Sequence, residues 1–177
     1  MMKKLTFLLL AVFMLQFSIV SAAFAKDTLV PGEKLVEGTY LVSKNGVFSL
    51  HMQWDGNLVL YKNGSTPLWS TDTDGVNYRY FDPLAGRYFT AWPHHLHFAS
   101  TPDGTVIRLS DSTERVQFWN SNNRPWSNKH YSYIGNMPTN LSGDLLIVQD
   151  DGNLVLYNTK DTARGWYPVW ASNTYGR

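Results

Sequence analysis

The chain has 177 residues, a formal net charge of +1 and no cysteine. Neither sign of charge dominates any long stretch, which argues against nucleic acid or an anionic membrane surface as the main partner. With no cysteine there is no disulfide framework, so packing alone must hold whatever fold forms.

Taken in chain order, the first element is an export signal. Lys3 and Lys4 form a short positive head, Leu5 to Val20 is almost unbroken apolar sequence, and small residues lead to Ala23-Phe24-Ala25. This pattern predicts a secretion signal peptide over residues 1–25, cut after Ala25. The apolar core is short for a bilayer span and no basic stop-transfer flank follows it. The expected product, 26–177, is a secreted, extracellular chain without a membrane span. It is long enough for one domain with a core and short for two.

Beyond Ala25 no segment sustains an apolar stripe of helical period. Gly, Asn, Asp and Ser interrupt short runs rich in Val, Leu, Ile, Tyr and Phe. This spacing predicts an all-β domain of many short strands without appreciable helix.

One unit recurs. Asp55-Gly56-Asn57-Leu58-Val59-Leu60-Tyr61 returns letter for letter as Asp151-Gly152-Asn153-Leu154-Val155-Leu156-Tyr157, and Asp103-Gly104-Thr105-Val106-Ile107-Arg108-Leu109 stands midway. A tryptophan follows each copy: Trp69, Trp119 and Trp170. Three evenly spaced copies predict an internal threefold repeat. In each, a strand such as 46–53 runs into an Asp-Gly turn, where Gly accepts positive φ. On the returning strand Leu58 and Leu60 face one side, and Asn57, Val59 and Tyr61 the other. The leucine side is the core side, and the three tryptophans are expected to gather around one axis.

The outward side carries Gln53, Asp55, Asn57, Val59 and Tyr61, and again Gln149, Asp151, Asn153, Val155 and Tyr157. Sugar hydroxyls both donate and accept, so a site for them calls for mixed amide and carboxylate partners, with the ionised Asp giving the stronger bond. A valine could cover the apolar face of a sugar ring, with tyrosine at its edge. The competing reading has Asp and Asn shaping the turn through their own backbone. That reading does not require Gln53, Val59 or Tyr61.

Both nine-residue segments, Gln53 to Tyr61 and Gln149 to Tyr157, match the Q-x-D-x-N-x-V-x-Y pattern of the bulb-type (monocot) mannose-binding lectins, and the chain resembles that family over essentially all of 26–177. The likeness extends to Pro67-Leu68-Trp69-Ser70-Thr71 and Pro168-Val169-Trp170-Ala171-Ser172. It implies a β-prism II of three pseudo-symmetric four-stranded sheets and a bacterial secreted member of the family. It also implies carbohydrate-binding residues at the ten positions above, D-mannose or mannose-rich glycans as partners, and neither metal nor cofactor. By resemblance, Asp and Asn take the axial O2 of mannose, Gln the O3, Tyr the O4, and Val the ring carbons. Many members pair through exchanged C-terminal strands, which leaves a homodimer open.

The middle copy departs from the pattern: Thr101, Asp103, Thr105, Ile107 and Leu109 occupy its positions, and only Asp survives. Simple alternation would turn Arg108 inward, where an unpaired guanidinium is costly. Either that strand slips in register and turns Ile107 and Leu109 inward, or Arg108 finds a partner at the end of the prism. No mannose site is expected there. The stretches 75–93 and 122–143 are long for the family; Trp126 and Trp166 either stand exposed near the rims, where they could extend a sugar site or contact a protein, or plug their own loops.

Other chemistry finds little support. His95 and His97 share a strand face beside His94, but no third ligand stands at useful spacing, and no metal site is expected. Asp150 and Asp151 are adjacent and point apart, so they cannot flank one glycosidic bond. Phosphate loops and nucleophile elbows are absent, and no enzyme is expected. Three readings remain. The first is a secreted mannose lectin. The second, by resemblance to bacterial members of the family, is a lectin-like bacteriocin that docks on bacterial surface polysaccharide and kills related strains. The third is a structural or protein-interaction module that keeps the prism without a sugar function, against which the intact pair of five-residue sites argues.

Overall fold

The protein is described by a computed structural model covering residues 26–177. The expected signal peptide lies outside the described residues. In chain order the elements begin with β1 (Thr28–Leu29), β2 (Lys34–Val36), β3 (Tyr40–Val42), β4 (Phe48–Met52), β5 (Leu58–Lys62) and β6 (Thr66–Ser70). Then come β7 (Tyr78–Asp82), β8 (Arg87–Ala91), β9 (His95–Thr101), β10 (Gly104–Ser110) and β11 (Gln117–Asn120). A helix, α1 (Asn123–Tyr131), precedes β12 (Leu145–Val148), β13 (Leu154–Asn158) and β14 (Tyr167–Ala171).

Three four-stranded antiparallel sheets form the body: β3-β4-β5-β6, β2-β9-β10-β11 and β1-β12-β13-β14. The first strands of the chain complete later sheets, β1 pairing with β12 and β2 with β9. Each sheet presents the same inward row across its strands: Leu50–Leu60–Trp69, Leu96–Leu109–Trp119 and Leu146–Leu156–Trp170. All six leucines are fully buried. The three indoles meet edge to face with centroids 5.4, 5.5 and 5.5 Å apart. Such a T-shaped contact adds about 0.5–1.5 kcal/mol per pair beyond area burial. The expected threefold convergence of tryptophans is therefore what holds the sheets together.

The middle sheet resolves the question of Arg108. Leu109 occupies the place of Leu60 and Leu156, and Ile107 that of Leu58 and Leu154, so both point inward and are fully buried. The strand has slipped by one residue relative to the even Asp-Gly spacing. Its hairpin is longer, closing with Thr101 opposite Gly104, whereas the outer hairpins pair Gln53 with Asn57 and Gln149 with Asn153. The Asp-Gly dipeptide has moved outward along that longer hairpin, and Asp103 is no counterpart of Asp55. Measured from the buried leucines, Ala99, Val106, Arg108 and Ser110 stand where Gln53, Asn57, Val59 and Tyr61 stand.

The two long stretches are structured insertions. The first contains the hairpin β7-β8, which pairs as a separate two-stranded sheet. The second contains α1, which corrects the expectation of no appreciable helix. Its polar residues give little helical signal of their own, and tertiary bonds hold it in place. Asn123 Nδ2 donates to the carbonyls of Thr105 and Leu141, at 3.0 and 2.7 Å. Ser127 Oγ and Tyr131 OH donate to the carbonyls of Val169 and Pro168, at 3.0 and 2.9 Å. The helix thus covers the outer edge of β14, a strand whose free polar groups would otherwise invite another strand. Of the two alternatives, Trp126 packs half-buried against the core, whereas Trp166 is exposed.

Candidate functional site

The two outer repeats build the same constellation from the backbone upward. Gln53 N–H bonds the carbonyl of Asn57 at 2.9 Å, and Gly56 N–H returns to the Gln53 carbonyl at 3.1 Å; Gln149, Asn153 and Gly152 repeat both bonds at the same lengths. Gly56 and Gly152 have φ of 89° and 87°, the left-handed region that glycine adopts without strain. Asp55 Oδ1 accepts the N–H of Asn57 at 2.9 Å, as Asp151 Oδ1 accepts that of Asn153. One oxygen of each carboxylate therefore does shape the turn. Both aspartates remain exposed and can accept further bonds.

On the strand, Gln53 Nε2 donates to the Tyr61 phenolic oxygen at 3.0 Å, and Gln149 Nε2 to that of Tyr157 at 3.0 Å. The register shifts immediately before Tyr61, Tyr157 and, in the middle sheet, Ser110. Such bulges re-aim the following side chain. Pro67 and Pro168 stand opposite the two tyrosines at this irregularity, where a missing ladder N–H is tolerated.

A set of hydroxyls that the sequence reading missed holds the asparagines. Asn57 Oδ1 accepts from Thr71 Oγ1 at 3.1 Å and Thr73 N–H at 3.3 Å. Asn153 Oδ1 accepts from Ser172 Oγ at 3.1 Å and Thr174 N–H at 3.2 Å. Thr73 and Thr174 also donate to the carbonyls of Gly56 and Gly152. The signal was present as a hydroxyl-x-Thr pair after each site, Thr71-Asp72-Thr73 and Ser172-Asn173-Thr174. The intervening Asp72 and Asn173 are left-handed, at φ 54° and 58°. With its oxygen anchored, Asn153 has its Nδ2 group left to donate, while Asn57 Nδ2 gives one hydrogen to Asp74 Oδ1 at 3.5 Å and keeps the other.

Val59 and Val155 are 4% and 2% exposed. They form an apolar floor between the polar groups. Neighbouring side chains on the same face close over them, since cross-strand partners lie within contact distance. In the first site these are His51 and Ser70; in the second they are Ile147 and Ala171. His51 lies between Tyr40, stacked at 4.9 Å, and Tyr61, met edge-on at 5.5 Å. Burial pushes its imidazole pKa down. In the second site Trp166 tilts over Tyr157 at 6.2 Å.

The first site also adjoins a groove of about 400 Å³ between the sheet and the β7-β8 hairpin, with Trp54, Asp55, Tyr80, Phe89 and Trp92 among its walls. Trp54 and Trp92 are 77% and 52% exposed. No such aromatic wall was legible in the repeat pattern.

The middle face is chemically different. Lys34, His97, Arg108 and Asn120 form one row across it, and Val36, His95 and Ser110 stand beside them. Glu114, from the β10-β11 loop, reaches His95 and His97 at 3.5 and 3.6 Å. The expectation that no third ligand-type residue accompanies these histidines is thereby corrected: the loop brings one that local spacing does not reveal.

No family model matches the chain, and no curated relative does. Solved structures do. A lectin of Japanese Marasmius oreades shares 20% identity over 85% of this chain and 93% of its own, with a TM-score of 0.53. A monomeric monocot mannose-binding lectin from Gastrodia elata shares 26% over 85% and 99%, with a TM-score of 0.50. The mannose-specific snowdrop (Galanthus nivalis) agglutinin, complexed with methyl-α-D-mannoside, shares 27% over 79% and 96%, at 0.46. The architecture is the β-prism II, and by fold the chain groups with bulb-type lectins, which are non-enzymatic carbohydrate-binding proteins.

Proposed function

We propose that the protein is a secreted lectin with two mannose sites per chain, at Gln53–Tyr61 and Gln149–Tyr157, and none on the middle sheet. The observation that carries this reading is the duplicate polar constellation. Gln, Asp, Asn and Tyr keep the same hydrogen bonds in both outer repeats, while none of the four is retained at the structurally matched middle positions. The Gastrodia elata lectin, named as mannose-binding, gives the fold its precedent for this ligand. Secretion rests on residues 1–25 alone.

Each site is shallow and has four or five contacts to offer. Binding of a single mannoside is expected near the millimolar range, about −4 kcal/mol. Engagement of both sites by one branched or clustered glycan would raise the effective concentration and the apparent affinity. Calorimetry with methyl α-D-mannoside tests the assignment. Asp55→Asn and Asp151→Asn are near-isosteric and retain an oxygen for the turn, so each should remove one binding event, and the pair should remove both. Unchanged stoichiometry in the double variant would show that the motif is scaffolding.

The second reading is a lectin-like bacteriocin, in which the sugar sites serve to dock on bacterial surface polysaccharide. The β7-β8 hairpin favours it, because Tyr78, Phe81, Leu84 and Tyr88 are exposed there and lie outside both sites. Growth inhibition on a lawn of related strains, run beside a glycan array, separates the two.

A further inference from the structure

We propose that the outer face of the middle sheet binds one divalent transition-metal ion, zinc by preference, through His95 Nε2, His97 Nδ1 and a carboxylate oxygen of Glu114. One ligand atom from each of these residues lies within 4.8 Å of the others. His95 Nε2 lies 3.5 Å from Glu114 Oε1 and His97 Nδ1 lies 3.6 Å from Glu114 Oε2, so each ring faces its own carboxylate oxygen at close to the roughly 3.3–3.4 Å that a tetrahedral ion with 2.0–2.1 Å bonds sets between its ligands. Glu114 has a 40% exposed side chain and can close the remaining gap by a small rotation.

The hydrogen bonds behind the histidines support the same assignment. His97 Nε2 lies 3.0 Å from Ser110 Oγ, and His95 Nδ1 lies 3.2 Å from His94 Nδ1. When these outer nitrogens carry the protons, the lone pairs of His95 Nε2 and His97 Nδ1 both face the Glu114 carboxylate. Three acceptors then converge with no proton between them, an arrangement that a cation stabilises. His95 is 2% exposed, and its Nε2 is buried without any hydrogen-bond partner. A buried imidazole nitrogen left in that state costs free energy unless something fills the place.

Burial, the largest cause, pushes both imidazole pKa values down, which favours the neutral, ligating form at neutral pH. Ser110 and His94 serve as outer partners that fix ring orientation, and His94 in turn faces Glu37 at 3.8 Å. Three protein ligands leave a fourth position for water, as in open zinc sites. The opposing charges are Arg108, which stands beside His97 in the same row, and Lys34, which is paired with Glu114. The Lys34 side chain is 45% exposed, so it can swing into solvent as an ion enters.

This site is separate from the two sugar motifs and does not depend on the lectin reading. It replaces the expectation of no metal with a specific one. The test is titration of the untagged protein with zinc chloride by calorimetry, and with cobalt(II) by visible absorption. One equivalent of zinc should bind, and cobalt should develop the intense ligand-field bands of a four-coordinate ion. Glu114→Gln and His97→Ala should each weaken zinc binding by about tenfold or more, whereas Lys34→Ala should strengthen it by removing the competing ammonium. Circular dichroism on each variant guards against loss of fold, and Glu114→Gln alters only a loop side chain. The proposal is overturned if no equivalent of zinc binds, or if Glu114→Gln and His97→Ala bind it as the parent does.

Discussion

Gln53 Nε2 donates to the hydroxyl oxygen of Tyr61 across 3.0 Å, so the phenol receives a bond and its own proton is left to give. The glutamine oxygen is likewise left to accept. Each residue orients the other, which lowers the ordering cost of meeting a sugar hydroxyl. Tyr61→Phe removes the phenolic donor while keeping the ring against His51. Mannoside binding at the first site should weaken by about 1 kcal/mol, roughly fivefold, with the second site unaffected. Two-site calorimetry checks this, and identical parameters at both sites would contradict it.

The groove beside Asp55 predicts a difference between monosaccharide and oligosaccharide. Trp92 is half-exposed on its wall and touches neither motif's hydrogen bonds. Trp92→Ala should leave methyl mannoside binding at the first site unchanged. It should weaken a mannose oligosaccharide by about 1 kcal/mol, the value of burying ~40 Å² of apolar surface. Equal effects on both ligands would exclude the groove as an extension of the site.

The indole triangle predicts where stability resides. Trp170 is 6% exposed and touches both other rings. Trp170→Ala should cost about 3–5 kcal/mol, the usual range for an emptied large aromatic position. Trp119 is only half-buried, so Trp119→Ala should fall at or below the lower end. Denaturant midpoints measured side by side would reveal the order, and a negligible loss for Trp170→Ala would place the core elsewhere.

Asp111 sets part of the acid limit. Burial alone would raise its carboxyl pKa, but bonds from the Thr113 hydroxyl and from the Val116 and Thr113 N–H groups outweigh it and hold the group below its ordinary 3.8. Because the folded value is the lower one, its stabilisation is fully present well above the unfolded value. It is lost as pH falls below about 3.8 and through the folded value. Asp111→Asn should therefore lower stability at neutral pH by about 1–2 kcal/mol and flatten its decline in acid. Unfolding midpoints across the acid range measure both, and an unchanged slope would exonerate Asp111.

Alternation and repetition made much of this legible beforehand. The leucine rows and the tryptophan triangle follow from a period of two read three times over. The even Asp-Gly spacing, however, was a false ruler. The middle hairpin is longer, so the dipeptide slid outward while Leu96, Ile107 and Leu109 kept the core register. Buried volume fixes register more firmly than a turn motif does. The helix was not legible because Asn123 to Tyr131 carries no apolar stripe and is held by Thr105, Leu141, Pro168 and Val169 from elsewhere in the chain. Glu114 escaped notice for a similar reason: it meets His95 and His97 through a loop, not through a spacing.

The division of labour along each strand also bears on how such a molecule diversifies. The inward Leu–Leu–Trp row is common to all three repeats, whereas the outward residues of the middle repeat share almost nothing with their counterparts. A substitution on one face therefore leaves the tryptophan junction untouched and need not be matched in the other two. Duplication supplies the copies, and drift can then rewrite them singly. One inward scaffold thereby carries outer faces of different chemistry, because the face and the core are written on alternate residues of the same strands.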